Sequence, residues 1–399
     1  MYQKVDGIHV WAANGAYDQG ALDQMRNVSY VGNVAHAALM ADHHLGYSQP
    51  IGGVVGYRDA VSPSGVGYDI ACGVAAVRTA IKAEDLTQSD LMKIADEIAN
   101  TISFGVGRVN DTKHDHSLFY DRTWDDVKWI THLKPLAASQ LGTVGSGNHY
   151  VDLLVDEQGM VWVACHFGSR GFGHKVATGF LSLAKFNGWS DRGVGETMHD
   201  NPTIISRKDN EFLFDAYIAA MELAGEYAYA GRNYVIDTVL NILDTIDTYE
   251  VHNHHNFAWE EEHHGEKIWV VRKGATPAAP GQERFIGGSM GDISAVIEGV
   301  ESEENSRGLY SAVHGAGRVM SRTQAKGKKN KPGLVSEEML QDATKGVIIR
   351  GGGLDEAPQV YRSLQGVLDA HANTISIKHT LKPLVVVMAG ADVRDPYKD

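Results

Sequence analysis

Apolar residues recur with helical spacing in two long stretches of the chain. In "AEDLTQSDLMKIADEIANTI" (83–102), Leu91, Ile94, Ile98 and Ile102 fall on one helical face, and Ser89 is placed to cap the N-terminus. "NEFLFDAYIAAMELAGEYAYAGRNYVIDTVLNILDTI" (210–246) predicts a long helix, with a break expected near Gly231. Other stretches read as strands. "VDLLVDEQGMVWVACHF" (151–167) predicts two strands around a turn at Glu157–Gly159. "KIWVVRKG" (267–274), "GVIIRGGG" (346–353) and "LKPLVVVMAG" (381–390) are apolar runs that end in glycine. Helices and strands mix without a regular strand–helix–strand alternation, which predicts an α+β fold.

Neither a repeat nor a low-complexity linker marks a boundary, so one domain is expected over 1–399, with 391–399 as a C-terminal tail. The basic run "AKGKKNKPG" (325–333) reads as a solvated loop. None of the apolar runs reaches the length of a membrane span, and "MYQKVDGIHVWAANG" lacks the basic and apolar regions of a signal peptide. These features predict no membrane association and a cytoplasmic location.

Composition narrows the picture. With 36 Lys and Arg against 50 Asp and Glu, the formal net charge is −14, which counts against a general nucleic-acid coat but allows a local basic channel. Two cysteines, Cys72 and Cys165, make no disulfide framework. A reducing compartment is the simpler expectation, and there a thiolate is more often a metal ligand or a catalytic group.

Six segments bring Asp, Cys, His or Asn next to glycine or a strand end: "MADHHLG" (40–46), "GVGYDIACGV" (65–74), "GSGNHYVD" (145–152), "ACHFGSRGFGH" (164–174), "HNHHNFAW" (252–259) and "SAVHGAGRVMSR" (311–322). One Cys, one Asp and several His suit a divalent transition metal such as Mn or Zn. The spacing is not that of a zinc finger, so such ligands must converge from distant segments. On composition alone a buried thiol near a capping Asp is the favoured account of Asp69 and Cys72, and a lone His such as His44 is more often structural. Glycines flank the histidines of "GSGNH" and "HGAGR", as they do in backbone anion nests, and Arg318 offers a forked phosphate donor. "GSMG" (288–291) is a further phosphate-facing turn, and "HFGSRG" adds Ser169 and Arg170 as a second pair.

Taken together, "GVGYDIACGV", "LGTVGSGNHYVD", "HFGSRG", "HHNFAWEEEHHGE", "RKGAT", "GGSMG" and "HGAGRVMSR" resemble the RtcB family of RNA-splicing ligases, in the family's order and from about residue 40 to 390. The resemblance implies a single large domain of mixed sheets flanked by helices around a central metal site. It implies an enzyme that joins an RNA 3′-phosphate or 2′,3′-cyclic phosphate to a 5′-hydroxyl, using GTP and two Mn²⁺ ions through a covalent histidine–GMP adduct. By motif, Asp69, Cys72, His149, His166 and His255 match the metal ligands, with Cys72 shared, and His314 matches the nucleophile. Asn148, Asp152, Asn256, Gly288, Ser289, Met290, Ser294, Gly315, Ala316 and Gly317 match nucleotide-contacting positions. Asp42, Arg170 and Arg318 match phosphate- or RNA-facing positions. The implied partner is RNA with 3′-phosphate and 5′-hydroxyl ends. A monomer is expected, with an activating helper protein left open.

This chain departs from the family pattern at several positions. Ala41 and His43 replace the Pro and Val of "MPDVHLG", Phe167 replaces the Ser of "HSGSRG", and Gly287 replaces the Pro of "PGSMG". Asp152 stands where the family has a guanine-facing Glu, and Met388 where it has a nucleotide-contacting Lys. These last two changes predict altered base recognition. Two other readings remain: a metal-dependent phosphoesterase acting on RNA ends, and a noncatalytic RNA-binding relative. Neither needs a nucleophile at His314.

Overall fold

The computed structural model describes residues 1–111, 114–191, 195–328, 331–391 and 393. Of the expected tail 391–399, residues 392 and 394–399 lie outside the described residues, as do 329 and 330 of the basic run. The rest of that run is ordered structure, not a loop. A short helix ends at Lys326, and Gly327–Lys328 pairs antiparallel with Lys331–Pro332.

Two sheets form the scaffold of an α+β fold. The six-stranded sheet runs in the order Tyr2–Val5, Ile8–Trp11, Val34–His44, Ile51–Tyr57, Glu266–Lys273, Asn256–His263. The eight-stranded sheet runs Asp247–His254, Gly73–Lys82, Met160–Phe167, Tyr150–Asp156, Ile375–Gly390, Ser294–Gly299, Glu283–Ile286, and Ile348–Gly352 pairs parallel with Ile375–Gly390. The chain passes from the second sheet to the first at His255, between the strand that ends at His254 and the one that starts at Asn256.

The predicted hairpin forms, with its strands at Tyr150–Asp156 and Met160–Phe167. Its inward residues Val151, Leu153, Val163 and Cys165 are fully buried. The strand predicted at 381–390 begins earlier, at Ile375. Pro383, which has no N–H to give a ladder, sits where the pairing register shifts.

The long helix covers Glu211–Ile242 without a break. Gly231 is tolerated because the helix crosses close to the sheet there: a Cβ at this position would lie 3.3 Å from Phe167. Val235 and Val239 pack in the same core as Ala75, Val77 and Val163. That burial outweighs the roughly 1 kcal/mol that glycine costs in a helix interior. The helix predicted over 83–102 is Gln88–Thr101, preceded by a separate 3₁₀ turn at Ala83–Asp85. Its cap is Thr87, not Ser89. The Thr87 hydroxyl accepts from the Asp90 N–H at 3.2 Å, and the Asp90 carboxylate accepts from the Thr87 N–H at 3.1 Å. This reciprocal pair satisfies two end donors where a Ser89 cap would satisfy one. Among the described residues, no helix is long and apolar enough to cross a membrane.

Candidate metal centre and nucleotide cavity

Four neighbouring strands of the eight-stranded sheet share one end, and the predicted ligands gather there. Cys72 directly precedes Gly73–Lys82, His149 directly precedes Tyr150–Asp156, His166 is next to last in Met160–Phe167, and His255 directly follows Asp247–His254. The register sets His254 against Gly73, Gly73 against Phe167, and Tyr150 against His166. Sheet order thus converts a separation of up to 183 residues into contact. The Cys72 thiol lies 3.3 Å from Nε2 of His166 and 3.6 Å from Nε2 of His149. Nε2 of His166 and Nε2 of His255 are 2.9 Å apart, and Oδ2 of Asp69 is 3.2 Å from Nε2 of His149. Two three-ligand groups result, Cys72–His166–His255 and Asp69–Cys72–His149, with Cys72 common to both.

The chemistry of these groups fits cations. Burial, with His149 alongside, pushes the His166 imidazole down to about 3, and burial pushes His255 well below its usual range. Both rings therefore keep a lone pair to give. Burial and the adjacent Asp69 carboxylate push the Cys72 thiol well up, so a thiolate here needs a cation to balance it. Burial acts to raise Asp69 too, but His149 outweighs it and holds the carboxyl below its usual value. The outer nitrogens are oriented. Nδ1 of His166 is 3.0 Å from the Asn148 carbonyl, and Nδ1 of His255 is 3.2 Å from the Asn256 side-chain oxygen. Ligating histidines are commonly fixed in this way. Gly168 leaves the space Asp69 occupies, since a Cβ there would lie 2.4 Å from its carboxylate.

His314 stands beside this centre, its ring centroid 4.8 Å from that of His255. It follows Ser311–Val313, a short strand paired with Ala275–Pro277. Its Nδ1 lies 2.6 Å from Oδ2 of Asp42, which also accepts from the backbone N–H groups of His314 and Gly315. Burial acts to raise the Asp42 carboxyl, but His314 outweighs it and holds it below the usual carboxylate range. Gly317 has φ +74°, and a Cβ there would come within 2.2 Å of the Asp42 carbonyl, so the glycine-rich turn closes directly over Asp42.

A cavity of about 460 Å³ opens in front of His314. Of the predicted residues, Asn148, Asp152, His166, Gly288, Ser289, Met290, His314, Gly315, Ala316, Gly317 and Arg318 line it. The others support from behind. Ser294 accepts from the Gly288 N–H at 3.0 Å, and Asn256 accepts from the Gly274 N–H at 2.8 Å. Asp42 is fully buried under His314, and Arg170 donates to Thr143 and to the Gly105 carbonyl. Ser169 is buried and donates to the Ile70 carbonyl, which braces the turn carrying Asp69 and Cys72. Tyr150, Asp152, Met290, Val386 and Met388 line the cavity and adjoin one another: Val386 pairs with Asp152, Met388 pairs with Tyr150, and Met290 packs with Val386 and Met388. Burial pushes the Asp152 carboxyl well up, and its Oδ1 is buried without a hydrogen-bond partner. Among the described residues, no lysine lines the cavity. Lys382 pairs with Val155, six positions along the strand from Met388.

Sequence reasoning missed several wall residues. His44, set aside as structural, lines the cavity with its Nδ1 2.9 Å from the Asp42 carbonyl. Arg322 lines it too, paired with Glu356 and with Asp355 at 3.3 Å. Its place four residues after Arg318 at a helix start was the available signal.

Known proteins resemble the chain along nearly its whole length. The family model described as tRNA-splicing ligase RtcB matches residues 24–134 and 122–389. The RNA-splicing ligase RtcB of Escherichia coli K12 is 32% identical over 410 aligned positions, covering 95% of this chain and 97% of that protein. The tRNA-splicing ligase RtcB of Archaeoglobus fulgidus is 33% identical, covering 92% of this chain and 91% of its own length. The RNA-splicing ligase RtcB homolog 1 of Entamoeba histolytica is 29% identical over 94% of this chain. A paired ligand group sharing one cysteine, a carboxylate-held histidine beside it and this full-length similarity lead to one conclusion: the chain belongs to the RtcB family of tRNA-splicing ligases.

Proposed function

We propose that this protein is an RNA ligase that joins RNA 3′-phosphate or 2′,3′-cyclic phosphate ends to 5′-hydroxyl ends, with GTP as co-substrate and two Mn²⁺ ions bound. The observation that carries this reading is the contact between His314 and the ligand pair: a histidine held at Nδ1 by Asp42, 4.8 Å ring to ring from His255, on the wall of the cavity.

Asp42 holds the Nδ1 side of His314, which leaves Nε2 to attack the α-phosphorus of GTP, with pyrophosphate as the leaving group. A 2′,3′-cyclic phosphate end is first opened by water, which breaks the P–O2′ bond and leaves a 3′-phosphate and a 2′-hydroxyl. The GMP then passes to the RNA 3′-phosphate, and the 5′-hydroxyl attacks that phosphate and releases GMP. Asp69, Cys72 and His149 would hold one cation, and Cys72, His166 and His255 the other. Bound there, they supply charge neutralisation on the phosphates. The backbone of Gly315–Gly317, with Gly288 and Ser289, cradles phosphate, and Arg318 and Arg322 face it as donors. Asp152 and Met290 sit at the base end, and Asn148, Asn256 and Ser294 hold the loops around the nucleotide.

We propose a monomer with residues 1–399 as one catalytic domain. The two buried cysteines are unbridged, which supports a reducing compartment, and we propose the cytoplasm. A phosphoesterase would leave the Asp42–His314 pair without a task.

The test is incubation with α-labelled GTP and Mn²⁺, followed by a denaturing gel. A covalent band is expected in the native protein and none in His314→Ala. The variant should still seal RNA that already carries an activated 3′-diphosphate-guanosine end. Label on the variant would exclude His314 as the nucleophile.

A further inference from the structure

Arg232 is fully buried in the long helix Glu211–Ile242, yet among the described residues no carboxylate pairs with it. A guanidinium without a counter-charge is costly inside a protein unless all its donors are used. Here neutral acceptors use four of its five N–H groups. Nε donates to Nε2 of His252 at 2.7 Å, Nη1 to the carbonyls of Ala71 at 3.0 Å and Phe167 at 2.6 Å, and Nη2 to Nδ1 of His254 at 2.9 Å. Arginine has no acceptor, so the facing nitrogens of His252 and His254 must both present lone pairs.

Three of the four acceptors are chain neighbours of ligands. Ala71 precedes Cys72, Phe167 follows His166, and His254 precedes His255. These are the three members of one ligand group. The site is strained as well, because Ala71 has φ +57°, a left-handed conformation that a non-glycine residue adopts only when its surroundings hold it there. It is held there from both sides. Its N–H donates to the Asn256 carbonyl at 2.7 Å, and its carbonyl accepts from Arg232.

We infer that Arg232 is a positioning residue for the Cys72–His166–His255 group: one planar fork fixes the three strand ends from which these ligands project, so that their donor atoms converge before a cation arrives. Lysine in its place keeps the charge but offers a single nitrogen and cannot span four acceptors in one plane. The inference rests on the metal reading of that group.

Titration with Co²⁺ tests it, read by the visible ligand-field bands and the near-ultraviolet thiolate-to-cobalt band, with circular dichroism on the same samples. Arg232→Lys should bind Co²⁺ about 10- to 100-fold more weakly, the scale for groups that orient metal ligands, with a weakened thiolate band in protein that remains folded. His252→Phe removes only the outermost acceptor and should shift both readouts less, in the same direction; it decides the matter if Arg232→Lys does not fold. A purely structural Arg232 would lower thermal stability and leave the affinity and spectrum of the folded protein unchanged, which would overturn the inference. If the native protein itself binds no Co²⁺, the metal reading fails and this inference with it. If the native protein binds and both variants match it, the Arg232 inference alone fails.

Discussion

Oδ2 of Asp42 lies 2.6 Å from Nδ1 of His314, a residue 272 positions further along the chain, and the same oxygen accepts from the His314 and Gly315 backbone N–H groups. One buried carboxylate therefore fixes both the ring and the turn that carries it. An amide in its place can present its NH₂ to Nδ1 and favour the tautomer whose Nε2 carries the proton. Asp42→Asn is expected to slow adduct formation from GTP by about two to four orders of magnitude. The loss should appear in the rate at saturating GTP and not in GTP affinity. Single-turnover labelling measures it, and an unchanged rate removes Asp42 from this role.

Cys72 is shared by both ligand groups, so Cys72→Ala should remove metal from both while the fold survives. The packing change is small, about 1 kcal/mol on the scale for minor core deletions. Elemental analysis for manganese beside circular dichroism checks this. A folded variant with full metal occupancy contradicts the assignment.

Where the proposed reading seats the base, Asp152 supplies a carboxyl and Met388 supplies no polar hydrogen. Guanine carries an O6 acceptor that a lysine can satisfy and a methionine cannot. A hydrogen bond from a charged donor contributes roughly 1.5–3 kcal/mol. Preference for GTP over ATP is therefore expected to be weaker than in a site with that lysine, by about one to two orders of magnitude. Met388→Lys should sharpen it. Competition between the two nucleotides for the adduct decides the matter, and strong exclusion of ATP by the native protein refutes it.

His371 is fully buried, accepts from the Ala41 N–H at 3.1 Å, and faces Thr374 with its other nitrogen at 3.0 Å. Burial pushes its imidazole down to about 3. The unfolded chain protonates this ring near pH 6.5 while the folded chain does not. Its contribution is thus whole above pH 6.5 and is lost as pH falls from 6.5 towards 3. The slope is about 1.4 kcal/mol per pH unit for one proton, or about 2 kcal/mol between pH 6.5 and pH 5. Urea unfolding at pH 7 and pH 5 measures the difference. His371→Gln, which does not titrate, should show a shallower fall by that amount, and equal slopes would contradict the burial argument.

Much of this protein was legible in its sequence because the signals are local. Apolar runs on either side of the turn at Glu157–Gly159 determined a hairpin, and apolar spacing in 210–246 determined a helix. The ordered motifs marked Cys72, His149, His166, His255 and His314 as residues for one site before any contact was visible.

What local pattern could not decide was set by neighbours distant in the chain. Gly231 weakens the helix locally, but packing against Phe167 keeps it continuous. The choice of Thr87 over Ser89 turned on a reciprocal pair with Asp90. Arg232 looks like one polar residue in an apolar helix until the strand order brings Ala71, Phe167 and His254 around it. Asp42 reads as one more acidic residue until the turn at Gly317 closes over it. Periodicity and motif record what each segment can form, whereas sheet order and burial select which segments meet. Hydrogen-bond partners, protonation and ligand geometry depend on that meeting, and so only the tertiary structure decided them.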